Sequence, residues 1–522
     1  MNIYTTYSTK KTSQSDPIPG KDMVKNSAGG FTFSIDDWQR LERFLILGTA
    51  GGTYYTSAKQ LTKENADCVL SCIKIDGIRT VKIITDISHS GNAPKNDPAL
   101  FALAMCTGLG DPLTKQAALM ALPLVARIGT HLFHFATYAE QFRGWGRGLS
   151  SAIKAWYQDK STDDLAYQAV KYQSRDGWSH RDMLRLAHPK TEDKEHNAIY
   201  RWIVSGKYEP SINNLIIAFE KAKEAIEPDI TLITDYGLTR EMVPTSWLNN
   251  VEVWGALLEK MPMTAMIRNL GKMSNVGLLK PMSKAVDKVV SKLNSENIKR
   301  ARVHPLSILV ALRIYQQGHG MKGSLTWDPI SQIIDALNDA FYMAFQTVEP
   351  TGKRHLLALD VSGSMGWSSI AGMPITPREG SVVMAMVTAA KEKQYHIMGF
   401  SNRFIPLPIS SNQRLDDAIA KVSGLPFERT DCALPMVWAI QNKIEVDTFI
   451  IYTDNETWAG SIHPVQALQQ YREKMGIPAK LIVVGMTATN FSIADPDDFG
   501  MLDVVGFATD TPAIISNFVT SD

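Results

Sequence analysis

The chain has 522 residues, of which 44% are hydrophobic and 20% are charged, and its formal net charge is +1. These are ordinary values for globular proteins, so disorder, collagen and coiled coil are poor descriptions of the whole chain. No apolar run approaches the ~20 residues of a membrane-spanning helix, and residues 1–25 lack the apolar core of a signal peptide. A cytoplasmic protein is therefore expected, with its four cysteines reduced.

The small net charge hides an asymmetry between two halves of the chain. Residues 1–350 contain 41 Lys and Arg against 35 Asp and Glu, whereas residues 351–522 contain 13 against 18. The bias is sharpest over residues 260–322, where 12 basic residues accompany two acidic ones. Basic segments within a neutral chain indicate a polyanion partner for one surface. The alternative is a set of solvated helical faces without any partner.

Residues 31–346 are predicted to be helical. Apolar residues recur there at three- and four-residue spacing, and short breaks carrying Gly, Pro or Asp separate the segments. Successive helices joined by short loops are typical of an α-solenoid of helix pairs. The segments with this spacing are 38–47, 100–106, 116–128, 149–157, 212–225, 251–258, 308–315 and 330–345.

One stretch of this half combines cations with helix signals. Lys171 and Arg175 stand four residues apart and are predicted to share one helix, which a turn at Asp176 and Gly177 follows. Ser179, with an acidic residue three positions later, resembles a capping box that opens the next helix. On that helix Arg181, Arg185 and His188 fall at i, i+4 and i+7, so they are predicted to form one stripe.

Cations neutralise phosphates, and aromatic or guanidinium planes stack on unpaired bases, so this pattern favours RNA binding. Tyr172 and Trp178 supply planar surface beside the predicted stripe. Charge and spacing add further candidates for the same role, which are Arg127, Arg143, Arg147, Arg268, Lys272, His304, His319 and Lys322.

The pattern changes after Thr351 and Gly352, which mark the predicted domain boundary. Strand-like apolar runs at 355–359, 396–400, 448–453 and 480–485 alternate with helical segments at 382–391, 432–441, 464–474 and 512–518. Such alternation predicts an open, mainly parallel, doubly wound sheet that helices cover on both faces.

Oxygen-bearing side chains follow the predicted strands of this domain. Asp360, Ser362 and Ser364 come directly after one strand, Asp454 ends another, and Thr430 lies in a loop before a helix. The carboxyl ends of parallel strands form one crevice, so these segments can meet although they lie far apart in sequence. Mg²⁺ prefers oxygen ligands of this kind, and a divalent cation is the expected cofactor.

The trio of segments resembles the metal-ion-dependent adhesion site of von Willebrand factor A domains, which has Asp-x-Ser-x-Ser, a loop Thr and a strand-end Asp. This resemblance implies that a cation is held, directly or through water, by Asp360, Ser362, Ser364, Thr430 and Asp454. It also implies a free coordination position for a carboxylate of a partner.

The chain as a whole resembles the Ro ribonucleoprotein family, that is, the SS-A/Ro autoantigen and its bacterial relatives. The matching stretches are residues 43–55, 100–104, 177–180, 264–273, 348–354, 453–457 and 494–498. The resemblance implies an N-terminal tail at 1–30, a TROVE module of HEAT-like repeats at 31–350, and a von Willebrand factor A-like domain at 351–522 that closes the repeats into a ring.

For function, the resemblance implies a non-catalytic scaffold in RNA quality control. Family members bind small non-coding Y RNAs on the outer surface and take single-stranded 3′ ends of misfolded or unfinished RNAs into a central hole. Lys171, Arg175 and His188 match positions tied to Y RNA binding in the family. An exoribonuclease or another protein is the candidate partner at the metal site, and a monomer is expected.

Two other classes of function remain open from the residues. A metal-dependent nuclease or phosphatase would use Asp360 and Asp454, but the sequence offers no second acidic cluster for two-metal chemistry and no obvious general base. A metal-dependent adhesion module with incidental basic helices would capture protein and no RNA.

Overall fold

A computed structural model describes residue 7 and residues 10–48, 58–321, 323–345, 349–370, 373–410, 413–425 and 429–521, and for residues 58–64 it describes the backbone alone. Lys322, Val348 and the motif residues 49–55 lie outside this range. No helix in the described ranges has both the length and the apolar character needed to cross a membrane.

The first part of the chain is built from helices, as predicted. Its helices are α1 (Asp37–Leu47), α2 (Ala58–Ser90), α3 (Asp97–Leu109), α4 (Pro112–Val125), α5 (Gly129–Phe142), α6 (Arg147–Gln158), α7 (Thr162–Lys171), α8 (His180–Ala187), α9 (Lys194–Ser205), α10 (Asn214–Glu224), α11 (Ile230–Thr234), α12 (Val251–Lys260), α13 (Met263–Asn275), α14 (Lys284–Lys292), α15 (Ser295–Ala301), α16 (Pro305–Gln316) and α17 (Ser331–Met343). Short 3₁₀ turns at Arg240–Met242 and Thr245–Asn249 precede α12.

Local capping explains where several of these helices begin. The carboxylate of Asp36 accepts the backbone N–H of Gln39, whose side chain returns to Asp36, so a capping box opens α1. Helix α2 is kinked at Asp76, which has φ −157° and ψ 94°. The Asp76 carboxylate accepts the backbone N–H of Arg79 at 2.9 Å, which caps the second half of the helix.

The helices pack as a staggered series. Helix α1 packs on α2, α2 packs on α3 and α4, α3 packs on α5, and α4 packs on α6. Helix α3 is buried on nearly all sides, with Leu100, Leu103 and Cys106 inaccessible to solvent. Each helix therefore buries its apolar stripe against neighbours close in sequence, which is the expected behaviour of a helical-repeat array.

The second part of the chain forms a six-stranded sheet, whose strands are β5 (Arg354–Asp360), β6 (Gln394–Phe400), β7 (Phe404–Pro406), β8 (Thr448–Thr453), β9 (Lys480–Gly485) and β11 (Met501–Val505). Their order in the sheet is β11-β9-β8-β5-β6-β7. All neighbours in it are parallel except β7, which pairs antiparallel with β6. Helices α18 (Pro377–Ala389), α19 (Leu415–Ser423), α20 (Leu434–Gln441), α21 (Pro464–Met475) and α22 (Thr511–Thr520) accompany the sheet. The predicted α/β class is confirmed.

Residues 10–34 pack along the α/β domain. Strands β1 (Val24–Lys25), β2 (Phe31–Ser34) and β10 (Phe491–Ser492) form a small antiparallel sheet that joins the beginning of the chain to its end. The side chain of Gln14 is fully buried; it donates to Asp431 Oδ1 at 2.7 Å and accepts from Thr457 Oγ1 at 2.5 Å. This segment is thus integrated into the domain that carries the C-terminus.

The helical region contacts the α/β domain near both of its ends. At one end the buried guanidinium of Arg43 in α1 binds both carboxylate oxygens of Asp503 in β11, at 2.5 and 2.7 Å. At the other end Arg313 in α16 binds Glu379 in α18 at 2.8 Å. The Nε2 of His304 also lies 3.1 Å from the backbone oxygen of Asn92, which joins the start of α16 to the segment after α2. These contacts close the helical path on itself and on the α/β domain.

Candidate functional sites in the helical region and at the sheet edge

A cavity of about 970 Å³ opens within the helical region. Its walls come from segments far apart in sequence, from Ser88 at the end of α2 to Arg302 after α15. Two acidic residues, Asp97 and Glu241, lie on the described wall. The basic residues on it are Lys95, Arg127, Lys171, Arg175, Arg240, Arg268 and Arg302. The cavity is therefore strongly positive, and we call it the basic cavity.

Two of its arginines are held beside each other despite their like charge. Arg127 donates to the backbone oxygen of Ser88 at 2.7 Å and to its hydroxyl at 2.8 Å. Arg302 donates to the backbone oxygen of His89 at 2.6 Å. Burial lowers the pKa of Arg127, and the nearby Arg302 lowers it further. Paired guanidinium groups fixed by backbone acceptors form a preorganised site for an anion.

Lys171 and Arg175 both line the basic cavity, but the prediction that they share a helix is wrong. Helix α7 ends at Lys171, because the backbone of Tyr172 (φ −115°, ψ 60°) leaves the helix. Arg175 lies instead on the two-residue strand β3 (Ser174–Arg175), which pairs with β4 (Trp178–Ser179). The hairpin, rather than a helical stripe, brings Arg175 to the cavity wall.

The Lys171 ammonium is positioned by aromatic groups. Its Nζ donates to the Tyr167 hydroxyl at 2.7 Å and lies 5.4 Å from the centre of the Tyr172 ring. Burial alone would lower the pKa of Lys171, but the interactions with Tyr167 and Tyr172 outweigh it and raise that pKa. Lys171 therefore stays a cation.

The predicted capping box at the start of α8 is confirmed, since Ser179 and Asp182 bond each other's backbone N–H groups. Arg181 and Arg185 are exposed on this helix. His188, however, is the C-cap residue in a left-handed conformation (φ 48°), so it does not continue the helical stripe. Among the described residues that line the basic cavity none comes from α8, so this helix presents a separate cationic face.

The remaining residues that the sequence predicted to bind RNA do not form a single surface. Arg143 donates to the backbone oxygen of Thr107 at 3.2 Å, and Arg147 is exposed at the start of α6. Arg268 and Lys272 share α13 as predicted, and Arg268 lines the basic cavity. His319 is exposed outside that cavity, where it forms a β-bridge with Thr326; His304 is buried as an N-cap.

Sequence reasoning missed three of the cavity cations. Lys95, Arg240 and Arg302 line the basic cavity beside the predicted residues. Arg302 lies within the basic run of 260–322, which was a usable signal. Lys95 and Arg240 carry no such signal, because only the packing of distant helices brings them to the wall.

Four of the five predicted metal ligands, Asp360, Ser362, Ser364 and Asp454, lie close together at the edge of the sheet. Asp360 ends β5, and its carboxylate accepts from the backbone N–H of Ser362 at 2.9 Å and from the Thr453 hydroxyl at 2.7 Å. The hydroxyl oxygens of Ser362 and Ser364 lie 3.0 Å apart.

The backbone oxygen of Thr430 accepts N–H groups from residues 458 and 459, which fixes its loop beside the segment that follows Asp454.

The donor set fits a hard divalent cation. Asp360 and Asp454 are both inaccessible to solvent, and Asp454 Oδ2 has no hydrogen-bond partner among the described residues. Burial and the charge of Asp360 raise the pKa of Asp454 to about 7, and burial also raises the pKa of Asp360. Two buried carboxylates beside two hydroxyls form a costly arrangement that a cation would relieve.

Sequence reasoning also missed two charged groups around this site. Glu456 lies two residues beyond Asp454, and its Oε2 accepts the backbone N–H of Ala28 at 3.0 Å. Arg378 donates to the backbone oxygens of Val361 and Ser362 at 2.5 and 2.8 Å, which holds the turn after β5. The strand-end pattern could not reveal them, because one contact comes from the beginning of the chain and the other from α18.

Together the fold and these sites define a helical-repeat protein joined to a von Willebrand factor A domain. The model of the Ro60 vWA domain matches residues 354–519, and that of the TROVE domain matches residues 24–228 and 235–313. The chain therefore belongs to the Ro60 family, as the sequence resemblance predicted.

Similar proteins span nearly the whole chain. The RNA-binding protein RO60 of Deinococcus radiodurans is 43% identical over 509 residues, which cover 96% of each protein. The RNA-binding protein RO60 of Caenorhabditis elegans is 38% identical over 581 residues, covering 95% of this chain and 90% of the relative. The crystal structure of the Deinococcus radiodurans RO (RSR) protein matches with a TM-score of 0.70 at 42% identity, over 93% of this chain and 99% of the other.

Proposed function

We propose that this protein is a non-catalytic RNA-binding scaffold that takes part in RNA quality control. The observation that carries the proposal is the basic cavity, where the basic residues named above stand against Asp97 and Glu241. Relatives at 43% and 38% identity are named RNA-binding proteins, which supports the same function.

The basic cavity is suited to a single-stranded end of RNA. A single strand exposes its phosphates and unstacked bases together, so it can use guanidinium groups and aromatic rings at once. Lys171 supplies charge beside the rings of Tyr167 and Tyr172, and Arg127 and Arg302 supply two fixed guanidinium groups. We infer that the 3′ ends of misfolded or unfinished RNAs enter this cavity.

The face of α8 is the second RNA surface that we propose. Arg181 and Arg185 are exposed on this face, His188 is exposed at the C-cap that ends the helix, and none of the three lines the basic cavity. Such a face can contact the backbone of a folded RNA without admitting it to the cavity. We therefore propose that a structured RNA of the Y type binds on this side, with Lys171 and Arg175 near its border.

At the edge of the sheet we propose a Mg²⁺ site held by Asp360, Ser362, Ser364, Thr430 and Asp454. The unpartnered and buried Oδ2 of Asp454 supports the proposal. A bound cation would supply a coordination position for a carboxylate of a protein partner, for which an exoribonuclease is the candidate. An Asp360→Ala variant tests the alternative, since loss of a metal-dependent RNA cleavage in that variant would establish a nuclease.

Sequencing of co-purified RNA tests the two RNA surfaces. One variant carries Lys95→Gln and Arg268→Gln on the basic cavity, and a matched variant carries Arg181→Gln and Arg185→Gln on α8. We expect the first to lose frayed and 3′-extended RNAs and the second to lose structured small RNAs. Recovery of the same RNAs with wild type and both variants would contradict the assignment.

A further inference from the structure

A second cavity of about 570 Å³ lies between α13 and α16, next to the basic cavity. Its interior is mainly apolar, with side chains of Leu248, Ile267, Val310 and Ile314 on the wall. It is large enough for a small organic group, since ligand sites in proteins commonly occupy about 300–1,000 Å³. We call it the side pocket.

Aromatic residues close one side of the side pocket. The ring of Trp327 stacks on that of Tyr315, with centroids 6.1 Å apart and an interplanar angle of 18°. The indole N–H of Trp327 donates to the backbone oxygen of Tyr315 at 2.8 Å. A Cβ atom at Gly271 would lie 2.6 Å from the Trp327 ring, so the glycine lets the indole pack against α13. The aromatic wall is thereby fixed in place before any ligand binds.

The rim of the side pocket is cationic and shares residues with the wall of the basic cavity. Arg240, Arg268 and Asn269 line both spaces. Lys272 also lies on the rim, where its Nζ donates to Asn249 Oδ1 at 3.0 Å. A ligand in the side pocket therefore lies close to two guanidinium groups that also face the basic cavity.

From this geometry we propose that the side pocket binds one unpaired nucleobase of an RNA strand whose phosphates lie along the basic cavity. The inference rests on the proposed function and deepens it. The two faces of an unstacked base are flat and suit the wall formed by Trp327 and the aliphatic side chains, while Arg240 and Arg268 meet the flanking phosphates. An apolar peptide would fill the interior equally well, but it would bring no negative charge to the cations of the rim.

Binding of a single-stranded oligonucleotide tests this pocket. A series of otherwise identical strands carries one abasic nucleotide at each position in turn. For the wild type we expect one position at which loss of the base weakens binding by about tenfold, because base–aromatic stacking contributes on that scale. A 2-aminopurine at that position is expected to lose fluorescence on binding, since it would stack beside Trp327.

A variant in which a larger side chain fills the side pocket tests the same proposal on the protein. Val310 is half-buried on the pocket wall, so Val310→Trp is expected to weaken binding of the intact strand about tenfold and to abolish the difference between intact and abasic strands. The matched control is Met120→Trp on α4, at a side chain 72% exposed, which should bind like the wild type.

The possible outcomes distinguish a failure of the base-pocket proposal from a failure of the proposed RNA-binding function. Wild-type protein that binds the strands at low salt, with no position sensitive to base removal and no change in 2-aminopurine emission, would overturn the base pocket while RNA binding stands. Unchanged affinities in a folded Val310→Trp variant would overturn it as well and would point to another ligand, such as a peptide. Failure of the wild type to bind any strand would remove the proposed function itself.

Discussion

The basic cavity of the helical region and the strand-end site of the α/β domain hold their charges in opposite ways. In the helical region, Arg175 and Arg268 are exposed on the basic cavity, and the Lys82–Asp86 ion pair lies on the surface. In the α/β domain, Asp360, Asp454 and Glu456 have almost no exposure, although each carries an ionisable group. The same near-neutral chain thus keeps many of its cations accessible and buries several of its carboxylates.

This difference separates two uses of charge. An exposed guanidinium keeps its hydration and contributes little to stability, so a cluster of them on a concave wall is available for a polyanion. A buried charge is costly unless it is paired or bound by a cation, so its presence reflects either architecture or a ligand site. The exposed cations therefore support our proposal of RNA in the first region, and the buried carboxylates support our proposal of a cation in the second.

The largest effect is expected where a buried ion pair joins the two regions. Asp503→Ala would leave the Arg43 guanidinium buried without its carboxylate, which costs about 3–5 kcal/mol. Chemical denaturation of the variant should therefore show a clearly lower midpoint. Asp86→Ala is the matched control, because its partner Lys82 is 76% exposed, and it should change stability by less than about 1 kcal/mol. Equal effects in the two variants would contradict the comparison.

The next largest loss of stability is expected in residues 10–34, the segment that packs along the α/β domain. Gln14→Ala would remove an amide that bonds Asp431, Thr457 and the backbone of Ile462, leaving buried polar groups unpaired. We expect a loss of about 2–3 kcal/mol in the unfolding free energy of this domain. Gln141 is exposed, so Gln141→Ala should be nearly neutral in the same denaturation experiment. A neutral Gln14→Ala would show that the segment is not integrated.

A pH-dependent effect is expected where α16 meets the segment after α2. His304 accepts the backbone N–H of Leu306 through Nδ1 and is bonded to the Asn92 oxygen through Nε2, an arrangement that requires the neutral ring. Burial lowers the pKa of His304 to about 4. Because the unfolded chain has the higher pKa of about 6.5, the stabilisation is complete above that value and is lost as the pH falls towards 4.

The expected loss between pH 7 and pH 5 is on the order of 2 kcal/mol. Thermal unfolding across this pH range measures the loss. The variant His304→Asn retains an N-cap acceptor, so it should remove only the part of the pH dependence of stability that His304 causes. An unchanged pH slope in that variant would contradict the assignment of the charge-sensitive contact.

How far the sequence predicts these features depends on how local they are. The strand-end residues Asp360 and Asp454 could be placed, because parallel strands bring their carboxyl ends to one edge regardless of the connections. The break between Lys171 and Arg175 could not be predicted, because Tyr172 is an ordinary helix residue by type and only its backbone leaves the helix. Helix propensity is too weak a signal to locate such an end.

The basic cavity illustrates the same limit over longer distances. Ser88 and Arg302 reach one wall only after the intervening helices have packed. The beginning of the chain is similar, since the Tyr7 hydroxyl donates to Asp495 across 488 residues. Neither of these long-range juxtapositions produces a periodic pattern in the sequence. The distribution of charged residues therefore predicted a polyanion ligand but identified only some of the residues on the wall of the basic cavity.

The salt dependence of single-strand binding tests the central claim most directly. For the wild type, the logarithm of affinity should fall linearly with the logarithm of salt concentration, with a slope of about −0.7 for each phosphate contacted. Lys95→Gln with Arg268→Gln should reduce the slope by about 1.4, whereas the α8 pair Arg181→Gln with Arg185→Gln should leave it nearly unchanged. An identical slope and affinity in the wild type and the cavity variant would contradict the assignment of RNA to the basic cavity.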